Sequence, residues 1–194
     1  MTETPPLEKI CILPSPKYDI SIPTKEFLIF VNKSIIEHRK SHGQLDPFGI
    51  RNESELDYLC YRLNNHKYTK DKHLDNAIYV SSEILYTIAC RHPFLEGNKS
   101  TAFSAAIMLL EVNLKLHVNR KTQRNFHLWK TTDDKEIQLE GKTMELIAKW
   151  GEGSDQESLK KRLIEIDLMK KNREPTQEDV KRFIKQFLKR YILE

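Results

Sequence analysis

Residues 92–101 read HPFLEGNKST and join two segments whose patterns are typical of helices. In residues 73–91, apolar side chains recur at every third or fourth position, which predicts an amphipathic helix. Pro93 disfavours a helical backbone at the residue before it, so we expect His92 to lie just past the helix end, on an extended turn. Residues 101–116 begin with a run that is almost entirely apolar or small, and this run predicts a buried central helix.

The side chains of this motif are of the types that bind a phosphate and accept a proton. Gly97 permits a positive φ and a close approach of the backbone to a ligand. The free N–H groups at the start of the next helix favour an anion, and Lys99 adds a positive charge. Glu96 is a candidate ligand for Mg²⁺, and His92 has the chemistry of a general base near neutral pH. Together these residues predict transfer of a phosphate-containing group from a nucleotide to a hydroxyl.

The motif resembles the signature of the Fic/Doc (Fido) family, His-x-Phe-x-(Asp/Glu)-Gly-Asn-(Gly/Lys)-Arg. Six positions match it, namely His92, Phe94, Glu96, Gly97, Asn98 and Lys99. The resemblance covers about residues 24–117, and Lys at the eighth position is closer to the Doc (death-on-curing) branch than to the AMP-transferring branch. It implies an all-α fold, a helical bundle around a central helix pair with a short flap loop.

The resemblance also implies a function and a role for each matching residue. The protein would be a toxin-like transferase that moves a phosphoryl (or AMP) group from ATP to a hydroxyl of a target protein. His92 would be the general base, Glu96 the Mg²⁺ ligand and Phe94 the anchor of the loop. The phosphates of ATP would be bound by four consecutive residues, Gly97, Asn98, Lys99 and Ser100.

Position 100 departs from the signature, because the family has Arg where this chain has Ser100. An Arg binds phosphate oxygens through two parallel hydrogen bonds, which a Ser hydroxyl cannot reproduce. Loss of this charge would remove much of the stabilisation of a transferring phosphoryl group, unless a neighbour such as Arg91 replaces it. Two alternatives stay open: an active transferase, or a degenerate Fic fold that binds a nucleotide or a partner without catalysis.

Residues 43–53 carry Gly and Asp-Pro turn signals and predict a loop. In the resembled family this loop is a flap that lies over the active site and aligns the target. The flap would bind an extended target segment through main-chain hydrogen bonds, with Asp46, Phe48 and Arg51 as the candidate contacts. A plain connector with an exposed Arg51 is the alternative.

The domain organisation follows from proline and glycine positions in a chain of 194 residues. Residues 1–23 are rich in proline and predict an irregular lead-in with one short strand at Lys9–Leu13. Residues 24–150 would form the Fic/Doc-like core. Gly151-Glu152-Gly153 predicts a break, after which residues 151–194 would form a helical C-terminal extension.

The last part of the chain has the most regular amphipathic pattern. Thr176 and Asp179 have the spacing of a helix cap, and apolar residues follow at helical spacing over residues 177–193. We expect this apolar side to pack on the rest of the fold. The alternatives are an interface with a partner or with a second copy of the chain, which would give a homo-oligomer. The few aromatic residues beside the basic side argue against a membrane surface.

Composition narrows the classes of partner and compartment. The net charge of +4 lies in residues 118–194, which contain 18 Lys plus Arg and 14 Asp plus Glu. A protein that binds nucleic acid would have a denser stripe of basic residues, so nucleic acid is not an expected partner. Three scattered cysteines are typical of a reducing compartment, and no apolar run reaches the roughly 18 residues of a membrane span. We therefore expect a cytoplasmic protein.

Many relatives in the resembled family carry an inhibitory helix with the pattern (Ser/Thr)-x-x-x-Glu-(Gly/Asn). Glu precedes Gly three times in this chain, at positions 96, 140 and 152, and the residue four positions earlier is His92, Glu136 and Ala148, respectively. None of these has a hydroxyl, so no such helix is expected. The resemblance then implies that a separate antitoxin would restrain an active enzyme.

Overall fold

The computed structural model describes residues 12–14, 20–115 and 133–193. These ranges contain seven helices, namely α1 (Lys25–Ser41), α2 (Glu53–Asn65), α3 (His73–Arg91), α4 (Asn98–Leu114), α5 (Lys135–Gly151), α6 (Gln156–Glu165) and α7 (Gln177–Leu193). They also contain one antiparallel pair of short strands, β1 (Ile12–Pro14) and β2 (Ser21–Pro23). The expected all-α fold is confirmed, and none of the described helices is long and apolar enough to cross a membrane.

The fold is built around α3 and α4, which form its most extensive helix–helix contact. α3 is buried from Asn76 to Cys90 except at Tyr79, which is half-buried. α4 buries small residues completely, among them Ala102, Ala105 and Ala106, as the central helix of a bundle requires. The predicted central helix is confirmed, although it begins at Asn98, three residues before the expected start.

α1 packs on α4 and brings its own residues next to the motif. It begins after Thr24, whose hydroxyl accepts a hydrogen bond from the backbone N–H of Phe27 at 3.2 Å, the contact expected of an N-cap. Asn32, which is fully buried, donates from Nδ2 to the hydroxyl of Thr101 at 3.0 Å. This contact joins the middle of α1 to the first turn of α4, and the last turn of α1 therefore reaches the motif.

The proline-rich lead-in contains more regular structure than its composition predicts. A strand is present, but at Ile12–Pro14, and residues 9–11 of the expected strand lie outside the described ranges. β2, which the sequence did not predict, pairs with it and buries Ile22. Asn113 of α4 secures β2 by accepting from Ser21 N at 2.6 Å and donating to Ser21 O at 2.9 Å. The strand depends on this partner, distant in sequence, and no local signal reveals it.

The C-terminal helices continue the same hydrophobic core. α7 packs on α3, and its side chains of Val180, Ile184 and Leu188 are fully buried. The expected cap is present, since Thr176 Oγ1 accepts from Asp179 N at 3.4 Å and the Asp179 carboxylate accepts from Thr176 N at 2.9 Å. The apolar side of the last helix thus packs on the fold, as expected, and these side chains are covered within one chain.

Candidate active site

His92 ends α3 in a left-handed conformation, with φ 47° and ψ 58°. The helix ends where Pro93 predicts, but the expectation of an extended turn at His92 is wrong. Proline disfavours only the right-handed helical conformation at the preceding residue, and a left-handed residue is a common way to end a helix. The turn directs the carbonyl of Pro93 to two backbone N–H groups, those of Arg51 at 2.7 Å and Asn52 at 3.0 Å.

The two ring nitrogens of His92 have different surroundings. Nδ1 lies 3.3 Å from Glu152 Oε1, and the side chain is 19% exposed. Nε2 is buried and has no hydrogen-bond partner among the described residues. A hydrogen on Nδ1 that is donated to Glu152 leaves the lone pair of Nε2 as a proton acceptor. This arrangement has the geometry of a general base with an orienting carboxylate.

The loop between α3 and α4 is held in shape by its own residues. Phe94 is fully buried. The side chain of Asn98 accepts from Phe94 N at 3.0 Å and donates to Phe94 O at 2.9 Å. The amide of Asn98 is therefore hydrogen-bonded within the loop, and Asn98 also lines the pocket of the motif.

Gly97 occupies the N-cap of α4 with φ +77°. A Cβ at this position would lie 3.1 Å from Asn32 Nδ2 and 3.2 Å from Ile36 Cδ1, both on α1. Asn32 Nδ2 also donates to the carbonyl of Glu96 at 2.9 Å. α1 thus presses against the start of α4, where the first backbone N–H groups have no partner within the helix.

The motif lines a pocket of about 260 Å³. Its walls combine the loop and the α4 N-terminus with three side chains from elsewhere in the chain, Arg39, Arg51 and Glu152. Glu96 lies exposed at this pocket. Among the described residues no three His, Cys, Asp or Glu side chains cluster as a metal site.

The flap loop between α1 and α2 runs along the motif. Ile50 and Phe94 form an antiparallel bridge, and Leu95 N donates to Gly49 O at 2.9 Å. Arg51 extends over the motif and donates from Nη2 to Leu95 O at 3.2 Å. The backbone of this loop is therefore hydrogen-bonded to the motif, and the Arg51 side chain is exposed.

The three flap candidates occupy different places. Arg51 lines the pocket. Asp46 binds Arg39, with 2.9 Å between Oδ2 and Nη1, and Phe48 is 45% exposed. Of the three, only Arg51 is brought to the motif pocket.

Arg39 is the main site residue that sequence reasoning missed. It lies in the last turn of α1, where a basic residue is ordinary, and no spacing connects it to the motif. In the structure its Nη2 donates to the hydroxyl of Ser100 at 2.9 Å. Arg91, suggested as a substitute by its position beside the motif, instead lines a separate pocket of about 390 Å³ with residues such as Tyr58 and Tyr86.

The structure places Glu152 beside His92 and Cys90 in the core. Glu152 does not belong to an inhibitory-helix pattern, because Ala148 stands four residues before it. Tertiary packing nevertheless brings its carboxylate to His92. Cys90 is buried, its thiol donates to Ile147 O at 3.5 Å, and burial raises its pKa to about 12. A thiol with that pKa is protonated at neutral pH and is a core residue rather than a nucleophile.

Comparison with known proteins agrees with this geometry. No curated protein and no solved structure matches the chain. Residues 23–110 match the model of the Fic/DOC family, and these residues span α1, the flap loop, α2, α3, the motif and most of α4. The match does not distinguish the Doc branch from others. The match supports a similarity of residues 23–110 to the Fic/Doc family, in agreement with the motif and the helical fold.

Proposed function

We propose that this protein transfers a phosphoryl (or AMP) group from ATP to a hydroxyl of a target protein. The family match supports a Fic-type transferase in general. The observation that carries the proposal is the setting of His92 Nε2, which is buried and unpartnered among the described residues beside the free N-terminus of α4. A base and an anion site thus share one pocket.

The phosphates would bind where the first N–H groups of α4 and the charge of Lys99 meet. Helix N-termini bind phosphate because their N–H groups are unpaired and the helix dipole is positive there. Gly97 permits the close packing of α1 on the start of α4, since a side chain at this position would press against Asn32 and Ile36. Lys99 and Gly97 both line the pocket.

The target hydroxyl would lie beside His92, which takes its proton on Nε2. The hydroxyl oxygen then forms a bond to the transferred phosphorus, and the bond from that phosphorus to the leaving phosphate oxygen breaks. Glu152 accepts the Nδ1–H and balances the charge of the imidazolium that forms. The flap, hydrogen-bonded to the motif, would hold the target segment in place.

Glu96 is the residue that would hold Mg²⁺. Its carboxylate makes no hydrogen bond or ion pair within the described part of the chain, and it lies beside the α4 N-terminus. When bound, Mg²⁺ would neutralise charge on the phosphate oxygens. Glu96 is therefore suited to a metal carried in with the nucleotide.

Lys99 at the eighth position of the signature favours phosphoryl transfer over AMP transfer, as in the Doc branch. A toxin-like role follows from that branch, with a separate antitoxin as the proposed partner. Expression in a host cell tests this role: growth arrest that His92→Ala relieves would support it, and normal growth with active protein would contradict it.

The experiment that tests the transferase uses ATP labelled at either the α- or the γ-phosphate. Each is incubated with Mg²⁺, cell extract and either the wild-type protein or His92→Ala. We expect a protein band labelled from γ, and a loss of label of at least about 100-fold in the variant, because general base catalysis is removed. Label from α alone would show AMP transfer.

The alternative function is nucleotide or partner binding without chemistry, and Ser100 is the observation that favours it. In that case ATP would bind to wild type and to His92→Ala with equal affinity, and neither would label a protein. His92-dependent label in an extract that contains a target would exclude this alternative.

A further inference from the structure

We propose that Arg39 supplies from α1 the phosphate-binding guanidinium that this chain lacks at position 100, and that Ser100 positions it. The inference rests on the proposed function, since it assigns a nucleotide contact in the same pocket. It removes the objection that Ser100 raises against activity. The chain then lacks the arginine of the signature, but the pocket still contains a guanidinium.

The first support is the place of Arg39 in the pocket. Its side chain lines the same cavity as His92, Gly97 and Lys99. Arg39 is 61 residues from Ser100 in sequence, yet its Nη2 lies 2.9 Å from the Ser100 hydroxyl. A positive charge therefore lies next to the side chain of position 100.

The second support is a count of donors. A guanidinium carries five N–H donors, and those of Arg39 have two acceptors in the structure, Ser100 and Asp46. Nε is buried and has no hydrogen-bond partner among the described residues. Two of the five donors therefore have acceptors, and the guanidinium keeps unpaired donors for an acceptor that arrives with a ligand. Phosphate oxygens are the acceptors that a guanidinium binds best.

The third support is the fit between Ser100 and Arg39. Ser100 is 5% exposed, and its small side chain leaves the volume next to it to the guanidinium. An Arg at position 100 would place a second guanidinium against the first, and two like charges in a partly buried site repel. The two arginines are thus alternatives, and a serine at position 100 is what Arg39 requires.

The fourth support is preorganisation. Asp46 of the flap binds Nη1 at 2.9 Å while Ser100 accepts from Nη2, so both ends of the guanidinium are held. The Arg39 side chain is 19% exposed and packed at the end of α1. A side chain already held in this way loses little conformational freedom when it binds phosphate.

The test measures binding of Mg²⁺-ATP by calorimetry and the rate of protein labelling for a matched set of variants. Arg39→Ala should weaken ATP binding at least about tenfold and slow labelling about 100-fold or more, because a charged contact to the phosphates is lost. Lys40→Ala is the control. Lys40 is the exposed neighbour of Arg39 at the same end of α1, and its substitution removes one positive charge, as Arg39→Ala does. This control should behave as wild type. Arg39→Ala with wild-type binding and rate would overturn the inference.

The second arm moves the guanidinium rather than removing it. Ser100→Arg alone should lower the labelling rate, because two guanidinium groups then compete for one volume. Ser100→Arg in the Arg39→Ala background should raise the labelling rate at least about tenfold over Arg39→Ala alone, because position 100 of α4 then supplies the guanidinium that α1 has lost. No gain in the double variant would contradict the replacement.

Two further variants distinguish a folding defect from a loss of function. Arg39→Lys keeps a charge for Asp46 but lacks the planar fork, so it should fold with a wild-type melting temperature and still lose ATP affinity; full affinity would count against the inference. His92→Ala should bind ATP as wild type does while losing labelling. If wild type neither binds ATP nor labels a protein, the proposed function fails. If wild type is active and Arg39→Ala is equally active, only this inference fails.

Discussion

At the residue scale, the site depends on how His92 is oriented. The contact between Nδ1 and Glu152 directs the ring so that Nε2 is left without a partner in the described residues. We expect Glu152→Ala to lower the labelling rate roughly tenfold or more, because the ring loses the acceptor that selects its tautomer. Glu152→Gln should retain more activity, since its amide oxygen can still accept the Nδ1–H.

The comparison is made on steady-state labelling, with ATP affinity measured alongside. ATP affinity should not fall in either variant, because Glu152 bears a negative charge and is not assigned a phosphate contact. A labelling rate that rises in Glu152→Ala would contradict the orienting role and would mean that the carboxylate restrains the base instead.

At the element scale, the end of α5 must lie close to α3 for Glu152 to reach His92. Gly151 makes this possible, because a Cβ there would lie 2.4 Å from Cys90 Cα and 2.6 Å from Cys90 O. Helix propensity alone would predict that Gly151→Ala stabilises the protein by up to about 1 kcal/mol. We expect the reverse, a loss of about 1–3 kcal/mol, because the added methyl group meets backbone that cannot move aside.

Urea unfolding measures this change, and the labelling rate should fall with it, since displacement of α5 also moves Glu152. An exposed position on another helix, Ser34 of α1, provides the control. Ser34→Ala should leave stability unchanged or raise it slightly. A gain in stability for Gly151→Ala would contradict the close helix contact.

At the scale of the whole molecule, one buried carboxylate joins three helices. Glu83 of α3 is 2% exposed and binds Arg62 of α2 at 2.5 Å and Lys181 of α7 at 2.8 Å. Glu83→Ala should destabilise the protein by about 3–5 kcal/mol, because it leaves two partly buried cations without their partner. The exposed pair Lys33–Glu37, at 3.9 Å, gives the control, and Glu37→Ala should cost less than about 1 kcal/mol.

Thermal or denaturant unfolding of the full chain checks this prediction. A single cooperative transition is expected for wild type, since one hydrophobic cluster includes Leu28 of α1, Ile84 of α3 and Leu188 of α7. Equal stability losses for Glu83→Ala and Glu37→Ala would show that the bridge contributes nothing beyond a surface ion pair.

The sequence by itself determined the central helix pair, the last helix and the composition of the motif. Helices α3 and α7 follow from apolar periodicity, α4 follows from a run of apolar and small residues, and the cap at Thr176 follows from residue type, because these signals act within a few residues of each other. His92, Glu96, Gly97 and Lys99 stand together within one loop, so their proximity needed no fold. The Fic/Doc resemblance rests on that same short stretch.

Only the tertiary structure decided how the site is completed. Arg39 meets Ser100 across 61 residues of sequence, and the flap meets the motif through the bridge of Ile50 to Phe94. Glu152 reaches His92 because α5 packs closely on α3 at Gly151. Such contacts depend on which helix faces pack and at what distance. The effect of a serine in place of an arginine can be judged only when the side chain packed against it is known.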